Sequence, residues 1–200
     1  MAQSLLFHEG SRRLQDAFGS RRVADRLEQV TTRTAFTAAD TAFIEQAILF
    51  FLATADAEGR PDVSHKGGPP GFVRITGQSE LAFPDYDGNG MFKSLGNIAV
   101  NPNVGLLFVD FARPRRLRVT GTATVSRDDP LVACTTGAQL VVRVAATAIF
   151  PNCPRYIPTM TLAEPSIYTP RPGEPPVEPA WKSAPEFADA VPPRAKSITG

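Results

Sequence analysis

Proline divides this chain into two parts that cannot fold alike. Of its 19 prolines, seven fall in residues 1–150 and twelve in residues 151–200. Proline fixes φ and has no amide hydrogen, so it breaks helix interiors and is kept out of central strands. The stretch TLAEPSIYTPRPGEPPVEPAWKSAPEFADAVPPR is therefore neither a regular helix nor a central strand. It reads as an extended arm. Disordered tails are poor in aromatics, yet this one carries Tyr168, Trp181 and Phe187. That predicts an arm lying across the rest of the chain or across a partner subunit.

Regular structure must then come from the residues before the arm. Leu14, Phe18, Val23 and Leu27 recur near helical spacing between charges, with Gly19 as a break. A second short helix is expected from Ala38 to Gln46, with Thr37 as N-cap and Asp40 three residues on. The texture then becomes β. Strands are expected at 49–56, 62–66, 72–76, 81–84, 104–111, 117–126 and 139–150, with a helix over 91–100 stopped by Asn101-Pro102. Six or more antiparallel strands with inserted helices point to a closed or nearly closed barrel. The expected divisions are a helical segment 1–46, a barrel 47–160 and the arm 161–200.

Composition limits the functional classes. The formal net charge is +1, so no global field draws in nucleic acid or an acidic membrane. No apolar run approaches the ~20 residues of a membrane span. Nothing at the start reads as a signal peptide, which makes the cytoplasm the expected location. Two cysteines, Cys134 and Cys153, and two histidines, His8 and His65, lack zinc-site spacing, so no metal site is expected. Both thiols are expected to be free.

Three constellations could carry chemistry. In FPDYDGNGMFKSLGN, Gly88 and Gly90 permit a turn, and a helix starts near Gly90 or Met91 with Lys93 and Ser94 in its first turn. Free amides, a cation and a hydroxyl together suit a phosphate. Taken alone, the unit also fits an ordinary strand-to-helix turn with a solvated lysine. In Asp62-Val63-Ser64-His65-Lys66, alternation sets Ser64 and Lys66 on one face and His65 on the other. A locally satisfied histidine and a solvated edge lysine fit the same residues. In Arg113-Pro114-Arg115-Arg116-Leu117-Arg118, Arg116 and Arg118 share a face on which two guanidiniums can grip phosphate, or simply solubilise it. There is no Gly-x-Ser-x-Gly elbow, so an enzyme of this sequence would take its hard chemistry from a cofactor.

As an ordered set, these pieces resemble the pyridoxamine-5′-phosphate-oxidase-like FMN-binding family. FLATADAEGRPDVSHKGGPPGFVRI is similar to its opening hairpin. LAFPDYDGNGMFKSLGNIAVNPNVGLLFVDF is similar to its strand, phosphate loop, helix and next strand, and RRLRVTGTATV to the strand that follows. The resemblance spans about residues 45–150. It implies a mainly β fold with flanking helices, a six-stranded antiparallel split barrel. It implies a homodimer with FMN at the interface and a small-molecule substrate. Carried over, it assigns Ser64, His65 and Lys66 to the strand lining the flavin and its phosphate, and Pro84 and Asp85 to the flavin ring. It puts Lys93 and Ser94 on the phosphate, and Arg116 on FMN from the same or the partner chain, with Asn89 and Asn97 adjacent. It implies an FMN-dependent oxidoreductase. The alternatives are a non-catalytic flavin- or haem-binding module, or a reductase using a deazaflavin. The oxidases' strand-two arginine and C-terminal Arg-x-His element have no counterpart here, which leaves the substrate open. FPNCPRYI, after the last strand, resembles uncharacterised relatives rather than the oxidases.

Overall fold

The computed structural model describes residues 4–187 and 189–191. Its helical N-terminus follows from local signals. Helix α1 (Glu9–Ala17) starts where the His8 ring accepts from the Gly10 N–H, and the chain breaks at Gly19 before α2 (Arg21–Thr31). Neither helix buries a residue, and Leu14, Phe18 and Leu27 stay exposed. Helix α3 (Ala38–Glu45) opens on a complete capping box: Thr37 accepts from the Asp40 N–H, and the Asp40 carboxylate accepts from the Thr37 N–H.

Seven strands form one antiparallel sheet: β1 (Leu49–Ala55), β2 (Pro61–Gly67), β3 (Arg74–Gly77), β4 (Glu80–Tyr86), β5 (Asn103–Asp110), β6 (Arg115–Ser126) and β7 (Ala138–Pro151). Helix α4 (Lys93–Val100) lies between β4 and β5, and α5 (Pro130–Ala133) between β6 and β7. The strand order is β2-β1-β5-β6-β7-β4-β3. The six-stranded barrel implied by the resemblance is thus a seven-stranded sheet; the short β3 falls within the strand expected at 72–76 and pairs through Arg74↔Ala82 and Ile75↔Leu81.

The sheet curls on itself. β1 and β4 are far apart in strand order, yet the rings of Phe50 and Phe83 meet edge to face at 4.9 Å. Phe108 of β5 joins the same aromatic cluster, 5.1 Å from Phe50. Alternating residues from β1, β5, β6 and β7 fill the interior with Leu52, Leu106, Val119 and Val144. This is a split barrel with β2 and β3 at the two ends of the pairing order. The β6–β7 ladder shifts register between Thr120 and Gly121, where a Cβ on Gly121 would stand 2.1 Å from the Ala145 carbonyl oxygen. Only glycine fits so close to the neighbouring backbone.

Among its described residues the proline-rich stretch carries one 3-10 turn (Ala180–Ser183) and touches the barrel and the loop after β4. The Met160 N–H donates to the Phe111 carbonyl at 3.0 Å. The Lys182 ammonium pairs with Asp87, in the loop after β4. Trp181 and Phe187 stack edge to face at 5.7 Å. The part of the expected arm at residue 188 and over 192–200 lies outside the described residues.

Candidate functional site

Where the curled sheet brings β2 opposite β4, a polar patch forms. On β2, strand alternation turns Asp62, Ser64 and Lys66 to the half-buried face, and Val63 and His65 outward. On β4, Pro84 is buried and Asp85 half-buried. A proline is tolerated here because β3 pairs no further than Ala82, so the amide hydrogen that Pro84 lacks is not needed on that side. Lys66 Nζ and Asp85 Oδ1 approach to 4.0 Å across the split. Gln139, from β7, donates to Asp85 Oδ2 at 2.9 Å and to the Tyr86 carbonyl at 3.1 Å. Burial pushes the Asp85 carboxyl up, against the lowering influence of the Gln139 hydrogen bond and the Lys66 charge. Burial also pushes the Tyr86 phenol up to about 12.

The loop after β4 delivers the second half of the patch. Gly90 takes φ +75°, and the Asn89 side chain accepts from the Met91 N–H at 3.1 Å. Phe92 itself is left-handed, at φ 47° and ψ 28°, a region costly for a residue with a Cβ. The helix expected from Gly90 or Met91 therefore begins at Lys93. No side chain caps its N-terminus. Ser94 is buried, and its hydroxyl donates to Asp62 Oδ2 at 3.3 Å; Lys93 Nζ lies 3.7 Å from Asp62 Oδ1.

Of the ten residues singled out in the sequence, Lys66 meets Asp85, next to Pro84, and Lys93 and Ser94 meet Asp62, while Ser64 lies between Asp62 and Lys66 on the same face of β2. Four others stand apart. His65 points to the outer face and meets the Phe51 ring at 6.5 Å. Asn97 is buried on the barrel side of α4, its amide donating to Thr54 Oγ1 at 3.0 Å. Asn89 organises the loop. Arg116 lies in a different cavity, beside Arg33, Phe43 and Asn152. Sequence reasoning missed Asp62 and Gln139. Alternation with Ser64 and Lys66 was the available signal for Asp62; Gln139 had none.

The donor set fits a flavin phosphate. An uncapped helix start with Lys93 and a buried hydroxyl in its first turn offers amides, a cation and a hydroxyl to an oxyanion. Asp62 holds that cation and hydroxyl now, so a phosphate would have to displace it. Among the described residues no cluster of three or more His, Cys, Asp or Glu could hold a metal, and no helix is long and apolar enough to cross a membrane.

No curated protein matches the sequence. Among solved structures, HupZ of Group A Streptococcus is 21% identical, with 58% of this chain and 93% of that chain covered at a TM-score of 0.48. HutZ, the haem storage protein of Vibrio cholerae, is 21% identical, over 56% of this chain and 86% of that one, at 0.38. An FMN-binding protein of Syntrophomonas wolfei is 11% identical, over 71% and 96%, at 0.43. Residues 36–162, which hold all seven strands, match the family model described as pyridoxamine 5′-phosphate oxidase; the chain belongs to that family.

Proposed function

We propose that the chain is an FMN-dependent oxidoreductase acting on a small molecule, and that it works as a homodimer. The observation that carries this reading is the uncapped start of α4, where Lys93 and buried Ser94 lie against Asp62 on the same face of β2 as Lys66, which meets Asp85 across the split. Lys93, Ser94 and the first amides of α4 would hold the phosphate. Lys66 and Asp85 would offer a cation and a carboxyl to the polar edge of the ring, with Gln139 fixing Asp85. Because burial raises it, Asp85 keeps its proton to a higher pH than an ordinary aspartate. Bound FMN would supply hydride acceptance and onward electron transfer, which no side chain of the patch provides. The proline-rich arm, tied by Lys182 to Asp87 beside the phosphate loop, would screen the site from water.

The test is the visible spectrum of the protein reconstituted with FMN, followed by anaerobic addition of reduced nicotinamides. A bound flavin that a reduced nicotinamide bleaches supports the oxidoreductase. A bound flavin that no donor reduces makes the chain a carrier module, and no bound flavin at all removes the reading.

A further inference from the structure

The proline-rich arm meets the Asp85 end of the patch at two points and is exposed between them. The Pro170 ring packs on Gly137, which turns at φ +77°: a Cβ there would stand 3.0 Å from Pro170 Cβ and Cγ, and 3.7 Å from the Tyr86 ring. Gly137 leads into β7 just before Gln139, the residue that bonds Asp85. The second point is the Lys182 ammonium on the Asp87 carboxylate, in the loop after β4. The two contacts therefore flank Asp85. Pro170 and Lys182 are half-buried, whereas residues 171–178 are exposed.

The sequence between these anchors makes the segment stiff. Five of the residues from Pro170 to Lys182 are prolines, so the chain is extended and pre-ordered and loses little entropy on docking. Gly173, at φ +78°, provides a bend, where the Glu174 N–H donates to the Arg171 carbonyl at 3.2 Å. Little apolar burial holds the segment down, since Val177 is exposed like its neighbours. Segments with few buried contacts open at low free energy. Lys182 is suited to such opening. Its side chain is 14% exposed and has two carboxylates in reach: Asp87 on the barrel's loop, and Glu178 of the arm itself at 3.4 Å. When the arm leaves Asp87, the ammonium keeps Glu178 and gains water, so neither state strands a buried charge.

We propose that residues 170–182 form a strap over the Asp85–Tyr86 end of the patch, latched by Lys182 on Asp87, and that a flavin enters and leaves when the latch is open. The strap stands on the arm's own contacts; its role as a gate rests on the flavin reading. A gate that does not touch the flavin scales entry and release alike, by the fraction of time it is open. Weakening the latch therefore speeds both and leaves affinity alone. Loss of a direct flavin contact would speed release only.

The experiment has two arms, both on the full chain. Without flavin, trypsin cleavage after Lys182 is followed by mass spectrometry. A lysine paired with Asp87 cannot enter the protease, so cleavage samples the open latch. Asp87→Ala should speed it roughly two- to fivefold, the range for a solvent-accessible ion pair. Cleavage after Arg155, exposed in the same arm but outside the strap, should stay as it is. With FMN, stopped-flow quenching gives association and release rates in the wild type and in the double variant Asp87→Ala/Lys182→Met, which keeps the local net charge. Both rates should rise roughly two- to fivefold, with Kd unchanged within about twofold. Unchanged cleavage after Lys182, or equal speeding after Arg155, overturns the strap. Unchanged flavin rates, or faster release at unchanged association, overturn the gate. A wild type that binds no FMN removes the flavin reading and the gate with it, while the trypsin result still decides the strap, so the two readings fail distinguishably.

Discussion

Asp62 gives the proposed phosphate site an unusual property: removing a charged residue from it should tighten binding. Asp62 Oδ1 lies 3.7 Å from Lys93 Nζ, and Oδ2 accepts from Ser94 Oγ at 3.3 Å. A phosphate needs both of those donors. The Lys93 side chain is 58% exposed, so its pair with Asp62 is worth only about 0.2–1 kcal/mol. Once displaced, the carboxylate would still repel a dianion at about 6 Å, which adds roughly 1 kcal/mol in a screened, water-like medium. Asp62→Asn relieves both costs, about 1–2 kcal/mol together, and should tighten FMN five- to thirtyfold. Riboflavin, which lacks the phosphate, should change by less than about twofold. Quenching of flavin fluorescence gives both dissociation constants, and added salt should shrink the gain. Weaker FMN binding in Asp62→Asn, or equal tightening of both ligands, would refute the competition between Asp62 and the phosphate.

Two further substitutions test the frame that holds the site. Gly121→Ala should destabilise the chain by about 3 kcal/mol, lowering Tm by roughly 6–12 °C, because the new Cβ has nowhere to go against the Ala145 carbonyl; an unchanged Tm would mean that the β6–β7 bulge is not as tight as described. Asp40→Ala should cost about 2–4 kcal/mol in urea unfolding, through loss of the capping box and of the partner of Arg33. The pH arm of that measurement has a definite sign. Burial alone would raise Asp40, but bonds from Arg33 and Thr37 outweigh it and hold the carboxyl below its ordinary value. Its contribution is therefore full above the ordinary carboxylate range and is lost as pH falls through the folded value. Stability of Asp40→Ala should fall less steeply in acid than that of the wild type, and parallel acid limbs would contradict the pairing.

Much of the frame was legible because its causes are local. Thr37 and Asp40 form the expected box, Gly19 marks the expected break, and alternation in β2 correctly separated His65 from Ser64 and Lys66. The site was legible only in part because its pairings are long-range. Asp62 meets Lys93 and Ser94 only after the barrel curls, and Gln139 reaches Asp85 from a strand 54 residues on. The start of α4 was misplaced for a subtler reason. Glycines advertise left-handed turns, but Phe92 adopts one without advertising it, and shifts the helix start to Lys93.

The central claim is that the first turn of α4 holds the phosphate of FMN. The most direct measurement is the ratio of riboflavin to FMN dissociation constants in the wild type and in Lys93→Ala. The account predicts tighter FMN than riboflavin binding in the wild type, and a ratio roughly tenfold smaller in the variant, because a charge-assisted contact to phosphate is lost while the ring contacts remain. An unchanged ratio in Lys93→Ala, or a wild type that binds neither flavin, would contradict it.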